Sequence, residues 1–369
     1  MATAEYYLGL MSGTSADAVD VALVDFGTPF LRLVGTHSTP LPFDLRTLIH
    51  ALANPGDKEI DRMGELDRQL GEVFADSINQ LLTKFQLKPQ QIIAIGSHGQ
   101  TIRHRPPGTL KYPFSLQIGD PNTIAERTGI TTVADFRRRD IVAGGQGAPL
   151  VPAFHQAIFH NPNIDRAVVN IGGMANITWL PAKGATLGFD TGPGNVLMDA
   201  WILKSLGKTY DLNGDWAASG KVNQDLLQEL LGHPFFSRQT PKSTGREEFH
   251  LDWLHNHIVS KNIAAADIQA TLLALTAHSI AQEINKLSSY CDVFICGGGA
   301  YNLKLMDELA KLLPNTKLNS TAVLGIAPEW IEAMAFAWLA RQTMMRQTGN
   351  LRTVTGAERE VILGGIYCA

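Results

Sequence analysis

The chain has 369 residues, a formal net charge of −4 and a hydrophobic content of 45%, values typical of a protein with two globular domains. No basic excess favours nucleic acid as a partner, and no apolar run approaches the length that crosses a membrane. The first residues lack the charged and apolar regions of a signal peptide, and the three cysteines have no metal-ligand spacing. We therefore expect a cytoplasmic protein with reduced thiols and no membrane or nucleic-acid partner.

The N-terminal part of the chain begins with a predicted β-hairpin. Alternating apolar residues predict strands over residues 6–11 and 19–26, and the polar residues 12–15 form a tight turn between them. The elements that follow are a strand over 31–36, helices over 45–52 and 59–85, a strand over 92–96, a helix over 121–128 and a strand over 130–134. This order is that of one half of a ribonuclease-H-like α/β domain.

The C-terminal part repeats the opening pattern, since strands over residues 166–171 and 175–180 flank another glycine-containing turn. A polar, Gly-rich stretch at 143–149 falls where two lobes would meet. The remaining predictions are strands over 185–189, 292–296 and 361–367, and helices over 151–159, 196–206, 215–231, 249–259, 265–287, 303–313 and 329–346. We therefore expect an N-terminal lobe of residues 1–130 and a C-terminal lobe of residues 131–369.

Asp190 stands out because it precedes a tight turn. The predicted strand 185–189 leads into this acidic residue, then into Gly192, Pro193 and Gly194, with Asn195 as the N-cap of a helix. The N–H groups of such a turn, with a helix N-terminus behind them, make an anion site. A carboxylate beside an anion site suits a reaction in which a group is deprotonated next to a phosphate. The alternative interpretation is an ordinary β-turn before a capped helix.

Glycine-rich turns follow strands at residues 12–15, 144–147, 192–194 and 297–299. The chain has no Walker A motif, no dinucleotide fingerprint after its first strand and no Gly-x-Ser-x-Gly elbow. A duplicated chain with several such turns favours a nucleotide held by opposed turns in a cleft between lobes. The triple glycine at 297–299 is either a close-packing turn or the surface beneath adenine and ribose.

Motifs along nearly the whole chain resemble those of the anhydro-N-acetylmuramic acid kinase family, within the superfamily of sugar kinases, Hsp70 and actin. They lie at residues 10–20 (LMSGTSADAVD), 97–101 (SHGQT), 135–137 (DFR), 143–149, 170–176 (NIGGMAN), 188–195, 297–302 and 332–337 (EAMAFA). The family usually has Leu and Gly where this chain has Ala16 and Ala18. The resemblance implies two ribonuclease-H-like lobes, the actin-like ATPase fold, with an active site in the interlobe cleft.

The resemblance also implies a reaction. ATP and Mg²⁺ would be used to phosphorylate O6 of 1,6-anhydro-N-acetylmuramic acid while water opens the anhydro bridge. The products are N-acetylmuramic acid 6-phosphate and ADP, in peptidoglycan recycling and amino sugar catabolism. A homodimer is implied as well. Two alternatives stay open: another sugar kinase that phosphorylates a free hydroxyl, and an ATP-binding switch without enzymatic activity.

Roles for individual residues follow from the motifs. Asp190 would be the catalytic base, and His98, Gln100, Arg137 and Glu332 would contact the sugar. Asp17 and Asp20 would hold Mg²⁺ through water. Nucleotide contacts would come from Gly13, Thr14, Ser15, Ala16, Asp17, Ala18, Val19 and Asp20 of the hairpin, and from Gly192, Gly194, Gly297, Gly298, Gly299 and Asn302.

The sugar contacts have simpler alternatives. His98 would make only the ordinary hydrogen bonds of a loop histidine. Arg137 would form an ion pair with Asp135, although a lactyl carboxylate on the sugar would suit a bidentate arginine. Glu332 stands in an Ala-rich apolar helix, where a carboxylate needs a partner, and a salt bridge to a nearby arginine would supply one.

Overall fold

The computed structural model describes residues 4–13, 15–27 and 31–369. It consists of two compact units, with Met1–Phe154 and Trp330–Ala369 in unit 1 and His155–Glu329 in unit 2. These bounds differ from the expected lobes, because residues 131–154 and the C-terminal segment belong with the N-terminal sheet. Within the described residues, no helix combines the length and the apolar character needed to span a membrane.

The strands, in chain order, are β1 (Tyr6–Ser12), β2 (Ala18–Asp25), β3 (Arg32–Pro40), β4 (Ile92–Ser97), β5 (Gln100–Arg105), β6 (Phe114–Ile118), β7 (Thr132–Ala134), β8 (Arg166–Ile171), β9 (Met174–Leu180), β10 (Leu187–Pro193), β11 (Asp292–Cys296), β12 (Lys317–Ser320) and β13 (Gly365–Tyr367).

The helices are α1 (Phe43–Leu52), α2 (Glu59–Lys84), α3 (Pro121–Thr128), α4 (Phe136–Val142), α5 (Val151–Phe159), α6 (Val196–Leu206), α7 (Asp215–Ser219), α8 (Gln224–Leu231), α9 (Pro234–Ser237), α10 (Leu251–Ile258), α11 (Ala265–Leu287), α12 (Leu303–Leu312), α13 (Ile331–Met344) and α14 (Arg352–Thr355). Short 3₁₀ turns lie between several of them.

Each unit is built on one main sheet with the same strand pattern. In unit 1 the order is β13-β7-β4-β1-β2-β3, and in unit 2 it is β10-β9-β8-β11-β12. In both sheets three successive antiparallel strands form one side, and parallel strands continue from the first of them. In unit 1 the short strand β13 is added at the edge, antiparallel to β7. This is the ribonuclease-H-like arrangement, so the predicted fold class, α/β with two such units, is confirmed.

The sequence predicted most elements from local patterns but missed those that depend on distant contacts. Helices α3 and α11 and strands β8 and β11 have the predicted bounds. The expected helix over 215–231 is wrong, because α7 ends before Gly220 and α8 begins after it. A Cβ on Gly220 would lie 2.1 Å from the carbonyl oxygen of Ala266, so the backbone passes too close to α11 for a helical residue with a side chain. The β5–β6 hairpin, a separate two-stranded sheet, was also missed.

Helix α13 packs so closely on the sheet of unit 1 that its backbone contacts the backbones of two strands. A Cβ built on Gly9 of β1 would lie 1.8 Å from the carbonyl oxygen of Ala333, and one on Gly96 of β4 would lie 2.0 Å from that of Phe336. Alanines at 333, 335, 337 and 340 are buried at this contact or beside it. The two glycines and the Ala-rich helix therefore form one interface, in which neither strand has room for a side chain.

We predict that Gly9→Ala and Gly96→Ala each destabilise the protein by about 1–3 kcal/mol or more, since the added methyl group must push the helix backbone away. Gly64→Ala is the matched control. Gly64 lies in α2, and a Cβ there would meet no atom within 4 Å, so alanine should raise stability by up to about 1 kcal/mol through helix propensity. Urea denaturation followed by circular dichroism measures all three. A Gly9→Ala midpoint equal to wild type would contradict the close contact.

Candidate active site

The first candidate element is the hairpin between β1 and β2. Its turn closes through the N–H of Ala16, which donates to the carbonyl of Gly13 at 3.0 Å. Ala16 is buried and has a φ of +54°, in the left-handed region that alanine seldom adopts. Ala18 begins β2 in extended backbone opposite Pro40. The position where the family usually has glycine therefore does not require a left-handed φ in this chain. Thr14 lies outside the described residues.

Gln100 stabilises this turn through two hydrogen bonds. Its Oε1 accepts a hydrogen bond from the Ser12 hydroxyl at 2.7 Å, and its Nε2 donates to the carbonyl of Gly13 at 3.2 Å. The side chain is almost fully buried. Both ends of the carboxamide are therefore engaged with the hairpin, and the expected sugar contact of Gln100 stays a prediction.

The two hairpin carboxylates differ in their surroundings. Asp17 is exposed and forms an ion pair with Arg46. Asp20 is half-buried on β2, and its charge contributes to a raised pKa at Glu332. Among the described residues, no three His, Cys, Asp or Glu side chains are grouped so that they could hold a metal ion directly. The carboxylates that are present suit at most a hydrated Mg²⁺.

His98 and Arg137 form a second element in unit 1. Arg137, in the first turn of α4, donates from Nε at 3.2 Å and from Nη2 at 2.9 Å to Nε2 of His98. Burial, together with the charge of Arg137, lowers the pKa of His98 to about 3. The ring is therefore neutral, with its proton on Nδ1, and it serves as an acceptor that orients the guanidinium rather than as an acid or base.

The rest of the Arg137 guanidinium is partly committed. Its Nη1 donates to the carbonyl of Gly147 at 2.8 Å, which leaves one N–H on each terminal nitrogen. Asp135 forms its ion pair with Arg138, so the alternative interpretation of Arg137 as an ion-pair partner of Asp135 is wrong. Burial lowers the pKa of Arg137 to about 10, against the opposing charges of Glu332 and Asp140, and the side chain stays cationic.

Glu332 lies in the first turn of α13 and is half-buried. Burial raises its pKa; the charge of Arg137 opposes the shift and that of Asp20 adds to it. Within the described part of the chain, the two side chains of Glu332 and Arg137 do not form a salt bridge, so the simpler alternative for this carboxylate fails. The structure thus places Glu332 in the electrostatic field of both Arg137 and Asp20.

Asp190 lies in unit 2 within β10, not at a strand end. The predicted strand stopped at residue 189, whereas β10 continues to Pro193 with a bulge between Asp190 and Gly192. Its N–H donates to the carbonyl of Lys242 at 2.9 Å. Its Oδ2 accepts from the Ser243 hydroxyl at 3.1 Å and from the Thr244 N–H at 3.0 Å.

The environment of Asp190 makes it a stronger base than an exposed aspartate. Burial raises its pKa, the two hydrogen bonds to Oδ2 oppose that shift, and the charge of Glu247 adds to it. No sequence pattern pointed to residues 242–244, because they come from a loop more than fifty positions along the chain. Ser243 and Thr244 are thus site residues that sequence reasoning missed.

The glycine turn after Asp190 packs on the turn between β8 and β9. The N–H of Gly194 donates to the carbonyl of Gly173 at 2.9 Å, and that of Asn195 to the carbonyl of Gly172 at 2.8 Å. A Cβ on Gly194 would lie 2.4 Å from that same Gly172 oxygen. Asn195 is the N-cap residue of α6, as predicted, but its side chain makes no capping bond to the helix. The Gly194 amide is therefore engaged within the protein and is not among the N–H groups left for an anion.

A cavity of about 690 Å³ lies within unit 2, large enough for a nucleoside-sized ligand. Its walls come from the first turn of α6, from residues 210–213 and from the segment that follows β11. The predicted residues Gly298 and Asn302 line it. Gly297 and Gly299 instead pack against Asn170 and Ile171, where a Cβ would come within 2.3 Å of each. Gly297 and Gly299 thus form the close-packing turn, and the nucleotide contact of Gly298 stays a prediction.

Asp199 is a cavity residue that the sequence did not single out. It lies in the first turn of α6 and lines the cavity with Asp211. Burial raises the pKa of Asp199 to about 6, with Arg246 opposing the shift and Asp211 adding to it. Asp211 itself accepts hydrogen bonds from the Trp216 and Ala217 N–H groups at 2.9 Å. The cavity therefore carries one structural carboxylate and one available to a ligand.

Comparison with known proteins shows the family. The sequence matches the family described as anhydro-N-acetylmuramic acid kinase over residues 5–369. Curated relatives include the anhydro-N-acetylmuramic acid kinases of Shewanella oneidensis, at 54% identity, and of Shewanella putrefaciens strain CN-32, at 53%, each over 99% of both chains. A solved structure, the activator of the 2-hydroxyisocaproyl-CoA dehydratase from Clostridium difficile with bound ADPNP, aligns over 90% of this chain and 92% of its own at 14% identity, with a TM-score of 0.45. The motifs named above agree with the family match and with the two Shewanella relatives: the chain belongs to the anhydro-N-acetylmuramic acid kinase family and is a kinase.

Proposed function

We propose that this chain opens 1,6-anhydro-N-acetylmuramic acid with water and transfers the γ-phosphoryl group of ATP to O6 of the sugar, with Asp190 as the general base. The products are N-acetylmuramic acid 6-phosphate and ADP, within peptidoglycan recycling. The observation that supports the role of Asp190 most is its geometry. Three consecutive residues hold its backbone and one carboxylate oxygen, while burial raises its pKa.

The reaction has a defined balance of bonds and protons. The oxygen of a water molecule attacks C1 of the sugar, and the Asp190 carboxylate takes a proton from that water. The bond from C1 to the bridge oxygen breaks, and this oxygen, now O6, attacks the γ-phosphorus. The bond from the γ-phosphorus to the β,γ-bridging oxygen breaks, and ADP leaves. A base with a raised pKa suits the first step, because it binds the water proton more strongly than an ordinary aspartate does.

The unit 1 residues support recognition of the sugar. The remaining N–H on each terminal nitrogen of Arg137 gives a fork that matches the lactyl carboxylate of the sugar. His98 and the Gly147 carbonyl fix the direction of this fork. Glu332, which has a raised pKa and no salt bridge to Arg137 among the described residues, is proposed to accept a hydrogen bond from a sugar hydroxyl.

The unit 2 cavity supports the nucleotide site. We assign contacts with the nucleoside of ATP to Gly298 and Asn302. The family motif assigns phosphate contacts to Gly13, Ser15 and the other hairpin residues that it includes. Asp17 and Asp20 would hold water on Mg²⁺, which when bound would offset the charge of the transferring phosphoryl group. A cytoplasmic homodimer with no nucleic-acid or membrane partner completes the proposal.

Asp190→Asn tests the base. The amide keeps the size of the carboxylate and can still accept the Ser243 and Thr244 hydrogen bonds, but it cannot take the water proton. We predict that kcat falls at least ~10²-fold, while ADP binding measured by calorimetry is unchanged. Asp252→Asn, an exposed aspartate in the first turn of α10, is the matched control and should keep full activity. Wild-type turnover in Asp190→Asn would remove Asp190 from the catalytic role.

Isotope tracing tests the reaction itself. In ¹⁸O-labelled water, the label should enter the new hydroxyl at C1 and be absent from the transferred phosphoryl group. A sugar kinase that phosphorylates a free hydroxyl would incorporate no label at C1. An ATP-binding switch would release ADP at the same rate with and without the anhydro sugar. Mass spectrometry of the sugar phosphate, with an assay of ADP release, separates the three.

Gly298→Leu tests the nucleotide cavity. Gly298 has no left-handed φ, and the nearest atom to a Cβ there is Nδ2 of Asn195 at 3.8 Å, so the fold should tolerate the first carbon. The rest of the leucine would fill the space beside Gly298, and we predict that KM for ATP rises at least about tenfold. Gly64→Leu, in open space on α2, is the control. A normal KM in Gly298→Leu would place the nucleotide elsewhere.

A further inference from the structure

Lys242 is a buried cation in the loop that holds Asp190. Its side chain is 1% exposed, and its Nζ lies 2.9 Å from Oε1 of Glu283, whose side chain is 4% exposed. The same Nζ donates to the carbonyls of Phe235 at 3.4 Å and Phe236 at 3.3 Å, and it lies 4.7 Å from the centroid of the Phe235 ring. The three N–H groups of the ammonium thus have three acceptors.

Glu283 belongs to α11, the long helix that packs on β10 and runs through the core of unit 2. Its carboxylate also accepts from Lys286 at 2.9 Å. The Lys242 side chain is therefore tied to the interior of the unit, whereas its carbonyl and the next two residues face Asp190. One short segment, residues 242–244, joins a buried ion pair to a carboxylate with a raised pKa.

A buried ion pair contributes little net stability, because desolvation of the two charges offsets most of their attraction. Its geometric effect is larger. With the ammonium fixed by three acceptors, the Lys242 backbone has little freedom, and the Ser243 hydroxyl and Thr244 N–H are delivered to one oxygen of Asp190. Without that anchor the segment would be an exposed loop, since Ser243 is itself exposed.

We propose that Lys242 and Glu283 form an anchor that holds residues 242–244 against Asp190. Lys242 and Glu283 are then positioning residues for the general base. The catalytic meaning of this inference rests on the proposed function of Asp190. Loss of the anchor should release two hydrogen bonds that favour the ionised carboxylate. The Asp190 pKa should then rise, and its direction toward the substrate should become less defined.

The other charged groups near Asp190 do not reverse the expected rise of its pKa. Glu247 already raises the pKa of Asp190, and Glu248 is held by Thr244 and Arg238. The elements packed on β10 are β9 and α9, which carry no titratable side chain, and α11. Besides Glu283 and Lys286, α11 carries Asp267, which accepts from the Lys221 N–H, and His278.

The test uses the double variant Lys242→Met/Glu283→Met, because exchange of a buried ion pair for apolar side chains of similar volume is often neutral for stability. Carboxyl ¹³C NMR of Asp-labelled full-length protein, assigned with Asp190→Asn, reads the Asp190 pKa directly. We expect that pKa to rise and the acidic limb of the kcat–pH profile to move to higher pH by the same amount, so that the loss of activity is larger at acidic than at alkaline pH. KM for ATP should stay unchanged.

Ser243→Ala removes one donor without disturbing the anchor and covers the case in which the double variant does not fold. It should shift the Asp190 pKa in the same direction by a smaller amount. Glu283→Gln, which keeps shape and an acceptor, should fall between wild type and the double variant. Ser219→Ala, another exposed serine in unit 2, is the control and should shift nothing.

The outcomes separate this inference from the proposed function. An Asp190 pKa at the wild-type value in the double variant overturns the anchor even if Asp190→Asn is inactive, and an unchanged pKa in Ser243→Ala overturns the hydrogen bond through which the anchor is proposed to act. A pKa that rises while the kcat–pH profile stays fixed supports the anchor and removes Asp190 from the role of base.

Discussion

The close contact between α13 and the central strands of unit 1 determines where several candidate site residues lie. Because Gly9 and Gly96 have no side chains, the backbone of the helix contacts the backbones of β1 and β4. This contact fixes the position of the helix along the two strands. Glu332 directly precedes Ala333, whose carbonyl meets Gly9, and its carboxylate therefore has a fixed place relative to Asp20 and Arg137. A looser helix with larger side chains at this interface would leave the carboxylate without a defined position. The glycines of two strands thus position a candidate site residue that comes from the opposite end of the chain.

The same segment of the chain also supports Arg137 indirectly. Asp140 is fully buried and accepts hydrogen bonds from the Gly147 N–H at 2.8 Å and from the side chains of Asn350 and Thr355 at 2.7 Å. The Gly-rich loop is therefore held by residues more than two hundred positions away in the sequence. The Gly147 carbonyl of this loop accepts a hydrogen bond from Arg137. Every oxygen of this buried carboxylate has a donor, as a stable interior site requires. Local sequence patterns place Arg137, but this network is what directs its guanidinium.

How much of this could be predicted follows from the range of the interactions. The hairpin at Gly13, the strand that leads into Asp190 and the glycine turn at 298 depend on local patterns of strand, turn and helix, and the sequence indicated each of them. Ser243, Thr244 and Asp199 carry no pattern of their own, since their roles depend on a loop and a helix brought to the site by folding. The bulge in β10 was missed for the same reason: strand pairing beyond residue 189 depends on β9, and a run of Gly and Pro hides it. Ser12 and Gln100 were recognised as motif residues, but their hydrogen bond to each other depends on β5 lying beneath the hairpin.

The candidate carboxylates of Glu332 and Asp190 also differ in the charged and polar groups that surround them. Burial raises the pKa of Glu332, and the charged groups around it act in opposite directions: the cation Arg137 opposes the shift and Asp20 adds to it. Asp190 is held by a hydroxyl and a backbone N–H, both neutral. Neutral donors orient a carboxylate while they lower its basicity less than an adjacent cation would. A lysine stands in the very segment that contacts Asp190, yet its ammonium is turned into the core and paired with Glu283. That pairing keeps a positive charge away from the carboxylate, so Asp190 is fixed in direction and remains able to take a proton.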